Sequence, residues 1–381
     1  MRFSIFTTLP PCDRTPDQVL KDFREQVVLA DQMGFHAVWI GEHHFQPFGG
    51  GDLPNPILIG ADIAARTERI RIGQMANIAV WWHPIRLAED LAILDNLTEG
   101  RVEAGFGRGI RGYEGPQFHP NAHPHKPENR ELFTETIEIV RKAWTQEFFS
   151  HEGPNYRFPA EDTRFSHPMY PPNPEWQNGD EVIRLRVTPK PFQKPHPPIW
   201  QAADSTSSYE FAARRGHSVI GVARSFEGTR EAWTRYREVA SEVSGQSLPL
   251  GHCANGQTLN IMRTFHIADS CEQAAREARH GINTFFDMAT GLNPNWARQA
   301  FLAESETLSD EDRNLDWYDF LQKYEILWIG SADFVAERIH KLEEELGCEH
   351  VTLWPNPGFV PFEKVLRGME LFAEKVMPQF D

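Results

Sequence analysis

No apolar run among the 381 residues approaches the roughly 20 residues that a membrane-spanning helix needs, so a spanning protein is not expected. Cysteine is scarce and dispersed, at Cys12, Cys253, Cys271 and Cys348, with no Cys-x-x-Cys pair. That spacing argues against a disulfide framework and against a zinc knuckle. Positive charge is in deficit: 38 Lys and Arg stand against 54 Asp and Glu, a formal net charge of −16. An acidic surface repels a phosphate backbone, which excludes nucleic acid as an expected partner. An anionic cofactor would need a local positive site. The opening residues Met1 to Phe6 are too short an apolar run for a signal peptide, and a cytoplasmic location is the expectation.

What is present is a rhythm of strand then helix. Residues 2–8 read as a strand. Thr15, Pro16 and Gln18 then open a helix with a capping box, and Gly34 stops it. Further strands are expected at 37–41, within 70–80, and at 101–106, 198–203, 218–223, 258–268 and 350–354. Helical spacing follows each of them, as at 56–66, 84–97, 128–144, 207–215 and 229–243. Eight such units imply parallel strands with right-handed crossovers, and they close most naturally into a (β/α)8 TIM barrel. An open doubly wound sheet is the competing architecture. Residues 110–127, 150–197 and 281–329 break the rhythm and read as insertions in a single barrel domain, with a short hairpin near 182–187. Loops of this length are usually lids or binding loops.

In such a barrel the chemistry sits just after the strands. After the second strand come Glu42, His43 and His44. After the fourth come Gly107, Arg108 and Gly109. After the fifth come Asp204, Ser205, Thr206, Ser207 and Ser208. An arginine between glycines, with hydroxyls at a helix start, is the donor set that a phosphate requires. Singly, the serines read as a helix cap and the arginine as a surface residue. Together they favour a phosphate-bearing cofactor. The run Gly107-x-Gly109-x-x-Gly112 fits a dinucleotide fingerprint literally, but Gly115 and Pro116 follow where a helix must begin, so a nicotinamide site is rejected.

His43 and His44 are adjacent in an extended segment, so alternation sends them to opposite sides and only one faces a ligand. Either can act as a proton donor or base, or merely hydrogen-bond at the barrel rim. His119, His123 and His125 lack a partner ligand at metal spacing, and no metal is expected. Trp81, Trp82 and Trp354 stand at strand ends, where they serve as core or wall a flat or apolar ligand.

Several of these pieces, in order and spacing, resemble bacterial luciferase and its relatives: Glu42-His43-His44-Phe45, Asn55-Pro56, His83-Pro84-Ile85-Arg86, Gly100-Arg101, Gly105-x-x-Arg108-Gly109 and Ala203-Asp204-Ser205. The likeness runs along nearly the whole chain. It implies a β/α barrel that uses reduced FMN, supplied by a separate flavin reductase, and oxygen added at the flavin C4a position to oxygenate a small organic substrate. By this resemblance His43 matches the catalytic histidine and Arg108 the phosphate-binding arginine. Asp204, Ser205, Thr206 and Ser208 match the surroundings of the phosphate. Met75-Ala76 matches a non-prolyl cis peptide against the flavin ring, and a homodimer is implied. Gly107 departs from luciferase itself, where a cysteine lies near the flavin; this argues against light emission. The competing functions are a deazaflavin-dependent dehydrogenase on the same barrel and a flavin-binding protein without catalysis.

Overall fold

All eight expected strands form, and every pairing among those described is parallel except in two short hairpins. The computed structural model describes residues 1–8, 14–46, 53–222, 224–291, 293–356 and 358–380. Cys12, Ala223 at the end of the expected sixth strand, and Asp381 lie outside the described residues. The chain divides into two units, Met1–Ala76 with Ile199–Asp381, and Asn77–Pro198.

In the first unit Arg2–Thr7 lies between Ala37–Ile40 and His350–Trp354, with Ile5 level with both Val38 and Leu353. Arg71–Gln74 extends the sheet beyond Ala37–Ile40. On the other side come Asn260–Ile267, Ser218–Gly221 and Ile199–Ala203. Ala37–Ile40, Ser218–Gly221 and Asn260–Ile267 are buried along their whole length. That is why Ala37–Ile40 reads as a continuous apolar run instead of an alternating one, whereas Asn260–Ile267 buries Asn260, Arg263, Thr264 and His266 among its apolar residues. Inside lies a cluster of Phe6, Ala37, Trp39, Met75, Trp200, Ile220 and Met262. Trp39 and Trp200 are fully buried and meet edge to face, with centroids 5.4 Å apart. Gly73 makes this possible: a Cβ there would lie 2.3 Å from the Trp39 ring.

The region 281–329 departs from expectation. Cys271–Thr290 continues through Gly281, because a Cβ at that position would stand 2.6 Å from the Gly358 carbonyl oxygen. Gly281 is therefore a close-approach residue and not a helix stop. Three short helices follow, Pro294–Phe301, Asp310–Asn314 and Trp317–Lys323. A further strand, Leu327–Gly330, pairs with the end of Asn260–Ile267. The acidic segment caps and braces these helices. Asp316 accepts from the Asp319 backbone, and Arg279 reaches both Asp316 and Asp319.

In the second unit Val102–Gly107 pairs with Asn77–Ile78. The helices Pro84–Leu97 and Pro127–Thr145 bury Leu87, Leu91, Leu132 and Phe133. Trp144 ties the two helices together by donating Nε1–H to the Ala88 carbonyl at 2.9 Å. The proline-rich segment is pinned at two buried carboxylates. Asp95 accepts from the backbone and side chain of Gln193, each at 2.8 Å. Glu135 accepts from His151 and from the backbone of Asn155 and Tyr156. The hairpin is Gln177–Asn178 against Glu181–Val182, not 182–187. Its turn is at Gly179, φ +63°, the Asn-Gly signal of a tight hairpin.

Two predictions follow from this packing. Gly73→Ala forces a methyl group into the Trp39 ring; overpacking of this kind costs about 1–3 kcal/mol, read as a lower urea midpoint. An unchanged midpoint would show that Trp39 has room to move. Acid sensitivity comes from two imidazoles that meet edge to face, His36 and His350, with centroids 5.3 Å apart. Burial, then Arg2 and Arg71, brings His36 down to about 4. Burial holds His350 well below the usual imidazole range. The unfolded chain, with ordinary histidines near about 6.5, binds more protons in acid than the folded one. Their stabilisation is therefore complete above about pH 6.5 and is lost as pH falls toward about 4. Urea unfolding from pH 7.5 to 4.5 should show that decline, and His36→Gln should flatten it.

Candidate active site

In the first unit the Ala37–Ile40 strand delivers Glu42, His43 and His44. Glu42 is buried, 3% exposed, and His44 directs Nε2–H to its Oε1 at 3.3 Å. Residues two apart share a side of an extended chain, so His43 is turned the other way. The His43 backbone pairs in both directions with Leu53, at 3.3 and 3.1 Å, which fixes its position. The Met75–Ala76 peptide is cis, and both side chains are buried.

Ile199–Ala203 delivers the hydroxyl cluster at the start of the Thr206–Ala213 helix. Ser205 is the N-cap by backbone, yet its side chain accepts from no backbone N–H of that helix. It lies 2.8 Å from Ser208 Oγ and 3.3 Å from Ser207 Oγ. Ser208 reaches Asp204 Oδ1 at 3.5 Å. Thr206 Oγ1 is buried with no hydrogen-bond partner among the described residues. A helix start that withholds its hydroxyls from its own N–H groups, with one of them orphaned, fits an absent anion. Sequence reasoning missed Arg224. It is 6% exposed, donates to the Asp204 and Leu302 carbonyls at 3.1 and 3.2 Å, and brings positive charge behind the cluster. Below the cluster, burial pushes the Tyr209 phenol up to about 12, so it stays neutral.

In the second unit Gly107 ends its strand fully buried, and Arg108 follows. Asn129, with no exposure, braces Arg108 twice. It accepts from the guanidinium at 3.1 Å and donates to the Arg108 carbonyl at 3.1 Å. Arg108 lines a cavity of about 860 Å³ together with Lys126, Arg130, Thr134 and His151. Asn129 and Arg130 both lie in the first turn of the Pro127–Thr145 helix. The sequence signal was there, a Pro-opened helix start with polar residues, but its direction toward Arg108 was not. Beside this cavity Glu135 sits below the usual carboxylate range. Burial opposes that shift, and hydrogen bonds from Asn155 and His151 overcome it. His83 and His119 are also lowered, each chiefly by burial. Among the described residues no group of three or more His, Cys, Asp or Glu side chains is arranged to hold a metal. None of the described helices is long and apolar enough to cross a membrane.

Comparison with known proteins bears on this arrangement. The profile of the luciferase-like monooxygenase family matches residues 1–350. A curated relative, the oxygenase component of a flavin-dependent trigonelline monooxygenase from Acinetobacter baylyi, is 27% identical over 100% of this chain and 96% of its own. Among solved structures, the monooxygenase RslO1 of Streptomyces bottropensis superposes with a TM-score of 0.73 at 27% identity, over 100% of both chains. The oxygenating constituent of 3,6-diketocamphane monooxygenase from Pseudomonas putida, in complex with FMN, gives 0.77 at 21% identity, over 100% of this chain and 99% of that one. These likenesses show the fold to be the closed barrel of eight parallel strands ringed by helices. The chain is an enzyme and belongs to the luciferase-like monooxygenase family.

Proposed function

We propose that this chain is the oxygenase component of a two-component FMN-dependent monooxygenase. A separate flavin reductase supplies reduced FMN. One atom of O2 enters a small organic substrate and the other leaves as water. The observation that carries the reading is the turn from Asp204 to Ser208, whose buried hydroxyl at Thr206 has no partner among the described residues. That is a phosphate cradle by its chemistry. The second unit's cavity is lined by both signs of charge, Arg108, Lys126 and Arg130 together with Glu131, Glu135, Glu138 and Glu152, so an anion there would be held by particular oriented donors and not by a basic surface.

Reduced flavin, when bound, supplies the electrons that activate oxygen. The chain's own residues bind, orient and manage protons. Ser205, Thr206 and Ser208 donate to the phosphate, and Asp204 orders Ser208. In the second unit Arg108, held in aim by Asn129, offers a charge-assisted contact of its own to an anionic group. Met75 and Ala76 form the apolar floor for the flavin ring. His43 moves the proton, while Glu42 keeps His44 turned to the rim.

A homodimer is part of this reading, carried by the apolar residues of helices Pro56–Ala64 and Pro84–Leu97 that remain exposed. Ile57, Ile63, Leu87, Leu91 and Leu94 are buried within the chain. The apolar side chains left for a partner are Leu58, Ile93 and Leu97, at 67, 43 and 67% exposure. Cytoplasmic residence suits the free thiols of Cys253, Cys271 and Cys348.

Two substitutions separate binding from chemistry. Arg108→Ala should weaken reduced FMN binding roughly ten- to a hundred-fold in an anaerobic titration, with the turnover at saturating flavin nearly kept. Unchanged affinity would remove Arg108 from the phosphate site. His43→Ala should bind reduced FMN normally yet lose product about 10²–10⁴-fold, releasing hydrogen peroxide instead. If His44→Ala uncouples and His43→Ala does not, the roles are exchanged. If both stay coupled, neither histidine carries the proton.

A further inference from the structure

Trp354 ends the last strand of the first unit, partly buried, and packs against the buried cluster around Trp39 and Met75. Two perpendicular rings hold it. Phe6, on the first strand, meets it edge to face with centroids 5.3 Å apart and an interplanar angle of 87°. Phe285, on the Cys271–Thr290 helix, meets it at 5.1 Å and 89°. Its indole N–H is already committed, donating to the Asn356 carbonyl at 3.1 Å. The ring cannot turn without breaking three contacts, and its one polar atom is spent.

The part of the Trp354 side chain that stays exposed is held rigid by these contacts. The neighbouring cluster side chains are apolar: Val222 is partly buried beside it, and Met75 and Met262 are buried below. A wall built only to exclude water, or to line an alkyl chain, needs apolar area alone, which Leu or Met supplies equally well. A clamped indole adds an oriented quadrupole, which discriminates flat rings from saturated ones.

We propose that Trp354 is a specificity-determining platform for substrate, and that the substrate class is planar aromatic or heteroaromatic compounds. The inference rests on the flavin reading, because Met75, in the same cluster, belongs to the peptide assigned to the flavin ring. A ring resting on Trp354 is held by its face, not by a hydrogen bond to the indole.

The test uses a matched neutral pair of probes, benzamide and cyclohexanecarboxamide, with the full-length protein carrying FMN. Binding is followed by saturation-transfer NMR titration. The expected result is a preference for benzamide of about tenfold in wild type, from ring–ring contact alone. Trp354→Leu should abolish that preference, and Trp354→Phe should restore part of it. Equal binding of the two probes by wild type, or a preference that survives in Trp354→Leu, overturns the inference. So does failure of both probes to bind a protein that takes up flavin. A flavin titration of each variant runs alongside. A chain that binds no FMN fails the proposed function, whereas one that binds FMN without the aromatic preference fails this inference alone.

Discussion

The packing of Trp39 onto Gly73 and against Trp200 is the constraint on which the first unit depends. Parallel strands covered on both faces must fill the space between them with side chains, and the volume must match. Here one large ring is accommodated because a neighbouring strand gives up its side chain altogether. The cluster built on that contact includes Phe6, Met75, Trp200, Ile220 and Met262, one from each of several strands or from just beyond a strand end. Fixing these positions fixes where the chain emerges after each strand. His43, Met75, Asp204 and Trp354 are all borne on strand ends of this unit, so their placement follows from how its interior is filled. A site carried on strand ends gains precision from the rigid element beneath it.

Charge is organised by the same economy of local arrangement. The chain is strongly acidic overall, yet it sets positive groups where an anion would be received. Arg224 is buried behind Asp204. Arg108 is oriented by an unexposed Asn129. The carboxylates nearest the second unit's cavity are partly consumed by structure, since Glu135 holds His151 and the backbone of Asn155 and Tyr156. Net charge therefore says little about local binding; the oriented donors decide it.

Much of this was legible in the sequence, for physical reasons. Fully buried parallel strands leave continuous apolar runs such as Ala37–Ile40, and residues at their ends can be read off directly. Thr15, Pro16 and Gln18 announced their helix, and the Thr15 N–H does bond to the Gln18 side chain at 3.2 Å. Other features depend on contacts distant in sequence. The expected insertion began at 281, yet the helix runs on to Thr290, with Gly281 close against the Gly358 carbonyl. Leu327–Gly330 is only four residues long and lies within an otherwise acidic region. Asp316 caps a helix and pairs with Arg279, 37 positions earlier, a contact that neither residue announces alone. In the site, the adjacent His43 and His44 could be assigned opposite sides by alternation. The bracing of Arg108 by Asn129, 21 positions later, could not be inferred from either residue alone.

The central claim is that the chain works with reduced FMN and oxygen. Its most direct test is an anaerobic titration of the protein with reduced FMN and, separately, with a reduced deazaflavin, each followed by admission of oxygen. The account predicts saturable binding of reduced FMN and one O2 consumed per flavin oxidised on the protein, with little affinity for the deazaflavin. Tight binding of the deazaflavin, together with no uptake of reduced FMN, would contradict it.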